Sequence, residues 1–284
     1  MKALDRKLLR DLRRMWSQAL TIALVVASGL GGFITTLSAV ESLALARDQF
    51  YAQGHFADAF AAVKRAPLAL AEVLRGVPGV ADVQVTVEQV VRVEIAGVVD
   101  PILGQLIGVD LRQPPRMNQV TVRSGRALAP PGAGQGRSDS AIDALVSEGF
   151  ARVRGLHPGD ELIALVNGKR RTLRIVGTAL SPEYIFAGMA GMPDMRGFGV
   201  FWVDHEALAA AYDMQGAFNR VAVTLAPQAS EPAVLDALSR LLAPYGGRDA
   251  HGRADQASHA MLDNEIKEQR VMGTVLPAIF LAVA

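Results

Sequence analysis

The chain has 284 residues, half of them hydrophobic, and a formal net charge of +1. That balance excludes nucleic-acid binding driven by global charge, and the length allows one large folded domain or two smaller ones. The absence of cysteine excludes a disulfide framework, a thiolate metal site and a thiol nucleophile.

The basic residues are unevenly spread. Lys2, Arg6, Lys7, Arg10, Arg13 and Arg14 crowd the first fourteen positions against Asp5 and Asp11. On a helical wheel Leu4, Leu8, Leu12 and Trp16 fall on one side and the arginines on the other. Residues 1–18 are therefore expected to form a cytoplasmic amphipathic basic helix, with those four residues as an interfacial anchor in membrane lipid. A plain basic flank that only sets topology would carry the same residues.

Residues 19–40 (ALTIALVVASGLGGFITTLSAV) hold no charge and no proline. A helix over them runs about 33 Å, enough to cross a hydrocarbon core of about 30 Å. The competing reading is a signal peptide cleaved near Ala44-Leu45-Ala46, but an h-region of about 7–15 residues is shorter than this stretch. The basic N-terminus is expected to stay in the cytoplasm, placing residues 41 to about 270 in the periplasm or outside the cell. Ser28, Gly29 and Gly32 offer a face of small residues on which another helix could pack.

Residues 41–54 keep helical spacing until Gly54. Residues 55–63 read as a strand, 67–74 as a helix opened by proline, and 77–80 as a turn. Residues 81–95 alternate as one long or two successive strands, and 102–109 as another. Residues 130–140 (PPGAGQGRSDS) form a polar low-complexity loop without a dinucleotide fingerprint. Strands at 161–166 and 171–176 flank Asn167-Gly168, which suits a type I′ hairpin turn. Residues 181–197 are too rich in Gly, Pro and Met for one regular element. Their Tyr184, Phe186, Met189, Met192 and Met195 are candidates for a partner-contact loop, with a loop covering the core as the alternative. A strand at 198–203 leads to a helix capped by Asp204, and a strand at 219–225 to a helix at 231–243. A polar helix over 253–270 runs into fourteen uncharged residues, 271–284. These reach about 21 Å, so the chain is expected to stop inside a second membrane helix.

Neither a His-Glu-x-x-His pair, a Gly-x-Ser-x-Gly elbow nor a Walker-type phosphate loop is present. No catalytic, cofactor-binding or metal-binding residue is expected.

In its order of parts the chain resembles the MacB/FtsX-like family of ABC-transporter permease subunits. The resemblance rests on the basic start LDRKLLRDLRR, a span, a large domain and a charged helix feeding a second apolar stretch. It also rests on Gly155-Leu156-His157-Pro158-Gly159-Asp160-Glu161-Leu162 followed by Arg174-Ile175-Val176-Gly177-Thr178, similar to a hairpin pattern of that family. The resemblance implies an α+β fold: a transmembrane helix, then a periplasmic domain of two β-α halves, porter-like, over 41–111 and 214–252. A β-rich subdomain inserted at 112–213 and a stalk helix opening a truncated second transmembrane helix at 253–284 complete it. It implies the bacterial cytoplasmic (inner) membrane, a second permease subunit, a cytoplasmic ABC ATPase that alone binds ATP, and a periplasmic protein or lipid as substrate. The alternative is a single-span membrane-anchored periplasmic binding or adaptor module.

Overall fold

The computed structural model describes residues 10, 14–130, 141–189 and 192–283. Leu4, Leu8, Leu12 and nearly all of the 130–140 loop lie outside the described residues. The chain divides into two compact units, Met1–Gln49 with Leu262–Ala284, and Phe50–Met261.

Helix α1 (Trp16–Gln53) contains the whole uncharged stretch and its polar continuation as one 38-residue element. Among the described residues it is the one helix long and apolar enough to cross a membrane. Leu20, Ile22, Leu24, Leu30 and Ile34 are exposed along it, as befits side chains that face lipid.

The second unit is a mixed α/β domain. In chain order it holds β1 (Ala59–Pro67), α2 (Leu70–Arg75), β2 (Val80–Thr86), β3 (Glu88–Glu94), β4 (Ile102–Val109), β5 (Thr121–Gly125), β6 (Ala141–Ser147), α3 (Glu148–Arg154), β7 (Glu161–Val166) and β8 (Lys169–Leu180). There follow β9 (Gly188–Met189), β10 (Met192–Pro193), β11 (Phe198–Asp204), α4 (His205–Ala211), β12 (Ala217–Leu225), α5 (Glu231–Leu242), β13 (His251–Gly252) and α6 (Ala257–Val283), which runs on into the first unit.

The first sheet has the order β13-β1-β12-β2, antiparallel throughout. It is built from two β-α-β passes, β1-α2-β2 and β12-α5-β13, and each pass gives its second strand to the other's first. The two β-α units expected from sequence thus share one sheet. Val234, Leu238 and Leu242 recur every fourth residue on α5, one stripe of the helix, and pack with Leu70 and Leu74 of α2 against Ala59, Ala61, Val221 and Val223.

The second sheet runs β5-β8-β6-β11-β4-β3-β7, and β7 pairs back onto β8. Six strands therefore close into a barrel. The length of β8 permits this: residues 169–174 meet β7 and 172–179 meet β6, leaving the last residues to hold β5. Leu106, Leu162, Leu173, Ile175 and Phe201 fill the interior, and Phe150 of α3 meets Phe201 edge-on at 5.7 Å. Gly104 and Gly199 are register partners on β4 and β11. A Cβ on Gly104 would lie 2.6 Å from Val93 and 2.9 Å from Phe201, so the glycine makes the room that the ring occupies. The β7–β8 turn has positive φ at Asn167 (45°) and Gly168 (74°), as the type I′ turn requires.

Sheet membership divides the chain differently from the sequence reading. Residues 88–109 were expected within the 41–111 portion, but β3 and β4 belong to the barrel. The chain changes sheets at the buried Val87. The cause is Asn219 on β12: its Oδ1 accepts from Glu88 N at 2.8 Å and its Nδ2 donates to Glu88 O at 2.7 Å. One side chain thus stands in for a strand partner, ends the β2–β12 pairing and turns the next strand away.

In the first unit, Gly273 of α6 lies against Thr36 of α1, where an added Cβ would collide with it. Beyond the apolar stretch Asp263 binds Arg47 of α1 at 3.1 Å and Lys267 of its own helix at 2.7 Å.

Candidate functional site

Strand alternation gives the first sheet a second face, opposite α2 and α5, that looks onto the barrel wall. It carries Phe60, Gln84, Arg220 and Ala222. Between this face and the wall lies a cavity of about 270 Å³ lined by Gln84, Glu88, Ile107, Trp202, Arg220 and Ala222. A second cavity of about 280 Å³ lies among Gln105, Phe198, His251, Gln256 and Ser258. Glu183, Tyr184 and Arg220 line both.

These shared residues centre on a cluster of buried ions. Arg220 Nη2 donates to Glu183 Oε1 at 3.0 Å, and Arg220 Nε lies 4.0 Å from Glu88 Oε1 without hydrogen-bonding to it. The Glu88 carboxyl receives Gln105 Nε2 at 2.8 Å and the Tyr184 hydroxyl at 3.2 Å. Asn118 Nδ2 donates to Glu183 Oε2 at 2.7 Å, and Asn118 Oδ1 accepts from Ala57 N. The Glu88 and Glu183 side chains keep 12% and 7% of their exposure, so both carboxyls are taken largely out of water.

Two carboxylates facing one guanidinium leave a surplus negative charge. Burial accordingly pushes the Glu88 carboxyl up to about 7; Arg220 opposes the shift and Glu183 adds to it. The Tyr184 phenol is held well above its ordinary range by burial and by both carboxylates. Burial works against the charge on Arg220, yet Glu88 and Glu183 outweigh it and raise its pKa. His251, stacked on Phe60 at 5.9 Å, is pushed down by burial and by the Arg220 charge.

The segments leading to the two long helices meet beside this cluster. Arg253 donates to the Phe56 and Ala57 carbonyls and to Asp58 Oδ1 at 2.7 Å. Gln256 Nε2 donates to the Glu183 carbonyl at 2.8 Å, and Phe186 N to Ser258 Oγ at 2.9 Å. The arrangement can hold or release a proton and carry strain from one segment to the next. Among the described residues no group of three or more His, Cys, Asp or Glu is placed to hold a metal ion.

The residues singled out from sequence separate. Ser28 and Gly32 are exposed and Gly29 is half-buried on α1, with open space beside Gly32. Trp16 is exposed at the start of that helix. Of the 184–195 group, Tyr184 turns inward to Glu88, drawn by the carboxyl, and stacks edge-on to Trp202 at 6.5 Å. Phe186 is half-buried, Met189 and Met192 are backbone partners in the β9–β10 hairpin, and Met192 is exposed. Met195 sits over Gly149 at the start of α3. Sequence reasoning missed Glu88, Glu183 and Arg220, although a charge inside VTVEQVVRV and another inside FNRVAVTL are each a signal, since a half-buried strand seldom carries an ion inward.

Neither a protein-family profile nor a curated protein matches the sequence. In structure the chain is similar to the extracellular domain of the ABC-type transporter YknZ from Gram-positive bacteria, at 14% identity over 69% of this chain and 98% of that one, with a TM-score of 0.41. It is also similar to the periplasmic region of MacB from Actinobacillus actinomycetemcomitans, at 10% identity over 75% of this chain and 94% of that one, again with a TM-score of 0.41.

Proposed function

We propose that the chain is part of an ABC-transporter permease subunit of the MacB/FtsX type, set in a bacterial inner membrane with its N-terminus in the cytoplasm and its α/β domain in the periplasm. The observation that carries this reading is that both ends of the chain build one helical unit, in which Gly273 seats α6 on Thr36 of α1 and Asp263 binds Arg47. A domain whose two chain ends leave through paired helices is suited to receive motion from the membrane. In this reading the first sheet is the porter-like part and the barrel its β-rich insertion. The chain itself catalyses no reaction: a cytoplasmic partner binds and hydrolyses ATP, a second permease packs on the Ser28, Gly29 and Gly32 face, and the coupled motion serves export, extraction of a protein or lipid, or signalling. Phe186, Met189, Met192 and Met195 are then the part of the loop offered to a periplasmic partner.

A second reading, a single-span anchored binding or adaptor module, is favoured by α1 being the one described helix that meets the requirements of a span. Purification of the full-length protein from its native membranes separates the two. The permease reading expects a stoichiometric subunit bearing a Gly-x-x-x-x-Gly-Lys-Ser/Thr loop and ATPase activity. Recovery of the protein without any such subunit would overturn it in favour of the anchored module.

A further inference from the structure

We propose that the Glu88 carboxyl is a proton-operated latch between the first sheet and the barrel, seated when protonated and loosened when it ionises. The inference stands on the geometry of the α/β domain and not on the permease reading. Glu88 is the first residue after the chain changes sheets, and it is held from both sides. From the first sheet, the Asn219 side chain of β12 binds the Glu88 backbone and Arg220 faces the Glu88 carboxyl. Gln105 of β4 and Tyr184, in the short turn after β8, hold the carboxyl from the barrel side.

With a proton on Glu88, the ions left in the cluster are Glu183 and Arg220, one of each sign. The acid O–H then has the Tyr184 oxygen as an acceptor while Gln105 Nε2 still donates to the other carboxyl oxygen. Once the proton leaves, two carboxylates share one guanidinium, and the surplus charge sits between two cavities that give water a route to it. An unbalanced buried charge is relieved by hydration, and water drawn in through these cavities loosens the contact between the sheet and the barrel wall. Gln256, bonded to the Glu183 carbonyl just before α6, would feel the change directly.

The other titratable and charged groups around the cluster are Glu183, from the same turn as Tyr184, His251 of β13, Asp255 after it, His205 of α4, and Asp82 of β2 with Arg75, Asp110 and Arg116 at the rim of the first cavity. The Glu88 proton is held to about 7 in the folded domain, above the ordinary carboxyl value of 4.5. In that window the folded state binds more protons than the unfolded chain, so stability falls as pH rises through it. His251, facing the same cluster, is pushed down by burial and by the Arg220 charge.

The chain is free of cysteine, so Arg65→Cys on the first sheet and Lys169→Cys on the barrel give two spin-label sites in the full chain in detergent micelles. Distances are measured in steps from about pH 5.5 to about pH 8.5, across the transition. The expected result is a distribution that lengthens or broadens with a midpoint near 7, and that Glu88→Gln fixes in its low-pH form throughout. An unchanged wild-type distribution, or a Glu88→Gln protein that still responds, would overturn the latch. Should Glu88→Gln not fold, infrared spectra of the wild type with carboxyl-labelled glutamate decide the matter. A buried protonated-carboxyl band must be present at the lower pH and lost at the higher; a band absent from both, or persisting in both, overturns the proposal.

Discussion

Inside the barrel, Leu106, Leu173, Ile175 and Phe201 are almost wholly removed from solvent among other apolar side chains, whereas outside its wall the ionisable Glu88, Glu183 and Arg220 are largely removed from solvent. Apolar packing is close-fitting and insensitive to pH, so the barrel can act as a rigid body. A buried ionic cluster contributes little net stability, because desolvation offsets the Coulomb attraction, but it responds strongly to the loss or gain of one charge. The difference assigns rigidity to the barrel and adjustability to the seam between barrel and sheet.

Three substitutions probe that assignment. Phe201→Ala empties the middle of the barrel and is expected to cost about 3–5 kcal/mol. Denaturant unfolding followed through the neighbouring Trp202 measures the loss, which should be the same on either side of neutral pH. A marked pH dependence there would erase the contrast. Arg220→Met removes the cluster's one cation and should cost about 3 kcal/mol above neutral pH, where both carboxylates are left without a counter-ion. The cost should shrink below the Glu88 transition near 7, because a protonated Glu88 no longer needs the guanidinium. The same titrated unfolding curves test it, and a cost that is flat with pH would mean the seam behaves like the barrel. Gly104→Ala pushes a methyl group toward Val93 and Phe201 and should cost about 1–3 kcal/mol by overpacking. A thermal melt that shows no loss would mean the barrel wall yields and is not rigid.

Those parts of the fold that depend on neighbours in sequence were legible before the structure. The Asn167-Gly168 hairpin, the capping of α4 by Asp204 Oδ2 on Ala207 N, and the stripe on α5 follow from local chemistry. The change of sheet at Val87 was not legible, since residues 81–95 alternate without a break and the residue that divides them, Asn219, lies on a strand far along the chain. Barrel closure was hidden for a similar reason: β8 reads as one strand, and nothing local tells that its two halves serve different neighbours. The ionic cluster was half legible. Glu88 and Arg220 interrupt apolar patterns, but a single charge in a strand is far more often turned to solvent, and only their convergence with Glu183 makes them a site. In the first unit, the dense run at Ser28 to Gly32 draws the eye in sequence, yet within the chain the helices touch at Gly273 on Thr36 and at Asp263 on Arg47.

The exchange of strands in the first sheet carries a consequence for how the molecule is made. Its central pair joins Ala59 to Val223, so the ribosome must add 164 residues after the first before the second exists. At about 5–20 residues per second that is an interval of roughly 8–30 s. The barrel strands all lie between these two points and can pair during the wait. Synthesis therefore presents a finished barrel with two orphaned strands beside it, and β1 and β2, with Phe60 not yet covered, must be kept from other partners until β12 arrives between them to complete the sheet.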